Sequence, residues 1–186
     1  MRSYEEALAL LKEYNKEEFH LRHALTVSGV MRRFAERYDL SNADYWELVG
    51  LLHDIDFEKY PDQHCVKCRE ILAENGYDDD FVRAVVSHGY GMAQNDIPPE
   101  RYMEKVLFAI DELTGLIGAV AIMRPSKSVM DLELKSVKKK YKSPAFASGV
   151  SREAIAAGAD MMGISLDELI SETILAMRSL TGKMDI

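Results

Sequence analysis

Apolar residues recur at helical spacing along most of the chain, and strict two-residue alternation is nearly absent. The spacing predicts a first helix capped by Ser3 and running to about Tyr14. Ala7, Leu8, Leu11 and Tyr14 share one of its faces, and Glu6 is placed to close a capping box. A second helix is expected from Glu17 to Tyr38, with an inward stripe of Phe19, Ala24, Val27, Val30, Met31 and Phe34. Asn42 should cap a third, which ends in the run Leu51-Leu52-His53-Asp54-Ile55. After a proline-punctuated loop over 56–62, a fourth helix is expected from about Gln63 to Glu74, stopped by Asn75-Gly76. A fifth follows from about Asp79 to His88. The loop before Pro98-Pro99 leads into a long helix from Glu100 to about Met123. A short basic helix (about Asp131–Lys140) and two more, capped by Ser151 and Ser165, complete an all-α reading with no repeat and no low-complexity segment. The expected organisation is one domain over 1–186, with a core at about 17–120 and a helical extension at about 124–186.

Composition narrows this picture only a little. With 186 residues and 47% apolar content, the chain can bury a sizeable core. A formal net charge of −8 argues against general nucleic-acid binding driven by phosphate attraction. No apolar run has the length of a membrane span, the first residues lack a signal-peptide core, and the two cysteines cannot form a disulfide framework. A cytoplasmic protein without a membrane partner is the expectation.

The chemistry begins with His53-Asp54 at the end of the third helix. A carboxylate buried there is costly unless a cation meets it, and imidazole with carboxylate suits several divalent metals. His23 lies in the second helix, His64 at the expected start of the fourth and His88 at the end of the fifth. The long helix adds Asp111, beside Leu107, Thr114 and Gly118 in an otherwise apolar run, with Glu112 as the adjacent acid. Donors carried by different helices and aimed at a common interior are how helical bundles build metal sites.

In order and helical context, His23, His53-Asp54 and Asp111 resemble the H…HD…D motif of the HD-domain metal-dependent phosphohydrolases. His64 and His88 match the two further histidines of the dinuclear branches. The fourth and fifth helices are similar to the corresponding pair in bacterial diadenosine tetraphosphate hydrolases, and the remainder looks like a subgroup described only as HD-domain hydrolases. The resemblance implies an all-α HD bundle in which His23, His53, Asp54 and Asp111 hold a first divalent ion. Asp54 would bridge to a second ion held by His64 and His88. It also implies hydrolysis of a small phosphorylated molecule, a nucleotide or dinucleotide for instance. Paired ions about 3.5–4 Å apart activate water towards phosphorus and stabilise the phosphoryl oxygens. One or two ions are expected, with iron, manganese, nickel, zinc, cobalt and magnesium all open. Two alternatives stand beside this reading: a dinuclear iron oxygenase of the same fold, and a non-catalytic sensor of a phosphorylated ligand.

Other residues are weaker candidates. Glu58 and Lys59 follow the dipeptide and are candidates, with Asp54, for the catalytic steps; solvated loop charge is the competing reading. Arg124 and Lys127 are candidates for binding a substrate phosphate, although Met123 lies roughly 18 Å along the helix from Asp111. His20 shares the face of His23 and could orient a ligand or pack. Cys65 and Cys68 read as ordinary thiols on a helix, with a caution that Cys65 adjoins His64. Lys135, Lys138, Lys139, Lys140 and Lys142 read as the solvated face of an amphipathic helix. The spacing leaves the oligomeric state open.

Overall fold

Two 21-residue helices form the axis of the molecule: α2 (Glu18–Tyr38) and α6 (Tyr102–Ile122). Around them pack α1 (Tyr4–Tyr14), α3 (Ala43–Leu52), α4 (Lys67–Glu74), α5 (Asp79–Val86), α7 (Leu134–Tyr141), α8 (Arg152–Met162) and α9 (Leu166–Leu180). This computed structural model describes residues 2–91 and 94–182, and among these there is no strand. Met92 and Ala93, within the loop before Pro98-Pro99, lie outside the described residues. No helix among the described residues is long and apolar enough to cross a membrane.

The helix starts follow local capping. Ser3 and Glu6 close the expected capping box, and Ser151 and Ser165 accept the amides of Ala154 and Glu168. Asn42 occupies the N-cap position of α3 but makes no side-chain capping hydrogen bond; its amide donates to Asp39, whose carboxylate also accepts Trp46 Nε1. Phe19 is 76% exposed, not inward. With about 100° per residue, Phe19 falls about 80° to the side of Val27, whereas His20 falls only about 20° away. The stripe therefore runs through His20 and His23 towards the loop after α3.

The fourth helix starts at Lys67, later than expected. Pro61–Gln63 form a 3-10 turn and Cys65 takes a left-handed backbone (φ 63°), so His64 and Cys65 precede the helix and do not lie on it. The α5 helix likewise ends at Val86, and Ser87–Gly89 continue as a 3-10 turn that carries His88 against α6.

Two close approaches set the spacing of the core. The α2 and α3 helices make the most extensive contact, permitted by Gly50: a Cβ there would lie 2.8 Å from Met31 Cγ and 3.1 Å from the Ser28 backbone. The α6 and α8 helices meet where Gly158 faces Ala109, and a Cβ on Gly158 would lie 2.4 Å from that of Ala109. One continuous apolar core extends from Ala7 to Leu180. In α6, Val106, Leu107, Ile110, Leu113, Leu116 and Ile117 are fully buried. At about 1.5–3 kcal/mol for each such side chain, they hold the helix firmly enough to carry a carboxylate in its middle.

The last third of the chain packs onto the same core. Arg152 donates to the carbonyls of Ala147 and Val150 and also reaches Phe146, tying down the segment before α8. The α7 helix buries Val137, while Lys138 pairs with Asp167 and Lys140 lies over the Phe146 ring, as an amphipathic helix should.

Candidate metal centre

Six side chains predicted from sequence converge between α2, the end of α3 and α6. His23 Nε2 lies 2.9 Å from Asp111 Oδ1 and 3.1 Å from His53 Nε2. His53 Nε2 lies 3.3 Å from Asp111 Oδ1 and 3.4 Å from Asp54 Oδ2, and Asp54 Oδ2 is 3.6 Å from His23 Nε2. The other oxygen of the same carboxylate faces a second group. Asp54 Oδ1 lies 3.4 Å from His88 Nε2 and 3.6 Å from His64 Nε2, and these two nitrogens are 3.2 Å apart. Asp54 thus joins two clusters, one through each oxygen.

The imidazoles are fixed from behind. His53 Nδ1–H donates to Gly50 O at 2.8 Å, and His88 Nδ1–H to Val85 O at 2.6 Å. His64 Nδ1–H donates to Asp56 Oδ1 at 2.8 Å, and Cys68 N–H donates to Asp56 Oδ2 at 2.7 Å. With Nδ1 carrying the proton, each neutral ring turns a lone pair inward from Nε2. Lone pairs 3.1–3.2 Å apart repel unless a cation lies between them. Ligands about 2.0–2.1 Å from one ion are separated by about 2.8–3.4 Å, from right-angled to tetrahedral geometry. The separations of 2.9–3.4 Å in the first group fit that arrangement, and Asp54 Oδ2 to His23 Nε2, at 3.6 Å, is slightly wider.

Burial grades the centre from floor to rim. His53 and His88 have 0% and 1% of their side chains exposed, while His23, Asp54, Asp111 and His64 have 14–20%. Burial disfavours charge on His53, but the carboxylates of Asp54 and Asp111 outweigh it and push its pKa up to about 10. Burial opposes protonation of His64 as well, yet Asp56 and Cys65 raise it to about 9. Burial would raise Asp54 and Asp111, but His53 and its neighbouring imidazoles hold both well below the usual carboxylate range. Desolvation likewise raises the Cys65 thiol, and the positive field of His88 and His64 reverses this, bringing it to about 6. In the absence of an ion, protons hold these donors together, so a metal must displace them to bind.

The remaining predicted residues lie around or away from this centre. Glu58 accepts the amides of Lys16 and Glu17 at 2.9 and 3.0 Å and pairs with His20 Nδ1 at 2.9 Å, so its carboxylate is committed to fixing the approach to α2. Lys59 Nζ lies over the rings of Tyr14 and Tyr60. Arg124 is bound by Asp131 through Nε and Nη2, and Lys127 is exposed in the same loop. Among the described residues, no hydrogen bond or ion pair joins either to the histidine–aspartate centre.

Sequence reasoning missed the part played by Asp56. Its carboxylate is fully buried, its two oxygens are used by His64 and Cys68, and a position between apolar Ile55 and Phe57 was the signal for it. Cys65 is also wholly buried, with Sγ 3.4 Å from His64 Nε2 and 3.8 Å from His88 Nε2.

Residues 21–138, well over half of the chain and all six converging side chains among them, match the HD domain family model. The chain belongs to the HD-domain family. Its all-α architecture agrees with that membership, and the family implies metal-dependent, hydrolase-type function. HD domains bind divalent metals, and the His23–His53–Asp54–Asp111 group is a candidate metal site in this member, its donor atoms close enough together to hold an ion. No solved structure gives a significant match to this chain.

Proposed function

We propose that this HD-domain protein is a phosphohydrolase that uses two divalent ions to cleave a small phosphorylated molecule of the nucleotide or dinucleotide class. The observation that carries this reading is the division of Asp54, with Oδ2 towards His23 and His53 and Oδ1 towards His64 and His88. His23, His53, Asp54 and Asp111 would hold the first ion; His64, His88 and Asp54 would hold the second. Bound there, the ions would acidify water and neutralise charge on the phosphoryl oxygens.

The chain's own groups prepare for that chemistry. His53 and His88 form a floor closed to solvent, and their backbone hydrogen bonds prevent the rings from turning. Asp54, Asp111, His23 and His64 reach the rim, so a phosphate approaches from that side. Phe57, 40% exposed, stands edge-on to His64 with ring centroids 5.1 Å apart and offers an apolar flank to the rest of the substrate. Two carboxylates against two dications leave the centre net positive, which favours an anionic substrate. Glu58 acts in this reading by holding His20 beside Phe57, not by moving a proton.

Metal analysis of the purified protein, coupled to a panel of phosphomonoesters, nucleotides and dinucleotides, tests the proposal. Two ions per chain and metal-dependent release of phosphate or nucleotide are expected. Fully metallated protein that cleaves nothing in the panel would remove the basis for it. Two irons with oxygen consumption on an organic substrate would replace it with the oxygenase reading.

A further inference from the structure

The second half of the centre contains a donor that the HD motif does not account for. Cys65 Sγ, His64 Nε2 and His88 Nε2 lie together, and Asp54 Oδ1 is 3.6 and 3.4 Å from the two nitrogens. His88 is 1% exposed and its Nδ1 proton is committed to Val85 O, so the neutral ring aims its Nε2 lone pair at these other acceptors. His64 does the same from the opposite wall, with its Nδ1 proton held by Asp56. These facing nitrogens, the sulfur and the nearby carboxylate oxygen are all acceptors once deprotonated, so only shared protons or a cation can hold them together.

We propose that Cys65 is a ligand of the second ion, completing a His64, His88, Asp54 and Cys65 donor set. The inference rests on the two-ion reading above and adds to it the identity of the fourth donor. A tetrahedral ion with about 2.3 Å to sulfur and about 2.0–2.1 Å to nitrogen separates those atoms by about 3.5–3.6 Å. The sulfur-to-nitrogen distances of 3.4 and 3.8 Å bracket that value. The left-handed backbone at Cys65 brings consecutive side chains, His64 and Cys65, into the same group. Cys68, the second residue of α4, is buried and lies outside the group. As the ion binds, the protons shared among His64, His88 and Cys65 leave to solvent and the thiolate coordinates. A sulfur donor selects zinc, iron or cobalt over magnesium and manganese, so the two positions should differ in metal preference.

Reconstitution of the chelator-stripped full chain with cobalt(II) tests this directly. The expected result is two cobalt ions per chain and a near-ultraviolet thiolate-to-cobalt charge-transfer band. Cys65→Ser should abolish the band and weaken the second cobalt at least about tenfold, the lower end of the loss seen on removing an outer partner of a metal ligand. The first cobalt should remain. Cys68→Ser should retain the band, and if Cys65→Ser does not fold, this variant alone decides, because its remaining thiol is Cys65. Two bound cobalt ions without the band would overturn the cysteine ligand and leave the two-ion reading intact. A single bound cobalt without the band would overturn both.

Discussion

The two halves of the centre share Asp54 but are built on different backbone. The first takes His23 from α2, His53 from the end of α3 and Asp111 from the middle of α6. Each position is set by helices whose opposite faces are buried in the core. The second takes His64 from a non-helical segment and His88 from a 3-10 turn, and relies on the buried carboxylate of Asp56 to aim His64. Donors on helices inherit the precision of the bundle, whereas donors on loops need partners that hold them in place. The first half should therefore tolerate changes around it better than the second.

The largest effect should come from the residue that belongs to both halves. Asp54→Ala is expected to lose both ions and at least about a thousandfold in metal-dependent turnover, since several kcal/mol of charge stabilisation goes with them. Far-ultraviolet circular dichroism should show the helices retained. His88→Ala should lose only the second ion, and metal counting on the two variants together separates shared from unshared ligation. Full metal content in Asp54→Ala would sink the whole assignment.

Asp56→Asn isolates the dependence of the second half on its support. It should weaken the second ion by about 10–100-fold and leave the first at its original affinity, as read by metal titration. Equal losses at both positions would show that the halves are not independent.

The pH response tests the first half. The folded-state pKa of His53, about 10 without metal, lies above its unfolded value, so its stabilising contribution is complete below about 6.5 and disappears as pH rises through 10. The same rise in pH removes the protons that compete with metal. The increase in Tm on adding metal to stripped protein should therefore grow steadily from pH 6 to 9, by calorimetry. A constant increase would show that protons and metal do not share these donors.

The smallest effect on the centre should come from Gly158→Ala, which overpacks α8 against Ala109 and should cost about 1–3 kcal/mol in denaturant unfolding. Asp111 is two residues from that contact, so a modest weakening of the first ion should accompany it, with the second ion less affected.

The same contrast governs what was legible in the sequence. Helical periodicity located nearly all the elements, and placed His23, His53 and Asp111 on converging helices, because 3.6-residue spacing and burial agree there. It erred where the backbone leaves the helix. Gln63–Val66 read as helix because nothing in their residue types announces a left-handed cysteine, and Asp56 read as a loop charge because its partner lies eight residues away through a turn. Phe19 read as core because apolar character was weighed above its angular position. Glu58 and Lys59 lie in the expected region, but their commitments to the Lys16 and Glu17 amides and to the Tyr14 ring depend on α1, a long-range contact that spacing does not encode.

Gly158 lies beyond residue 138, outside the segment by which the family is recognised. It contributes no donor atom, yet its missing side chain fixes how closely α8 presses on α6, and so how deeply Asp111 sits. A chain trimmed to its motif core would keep every candidate metal ligand and expose the face of α6 that α8 now covers. Such a fragment should be detuned before it is disarmed: all the ligands present, the gauge that spaces them gone.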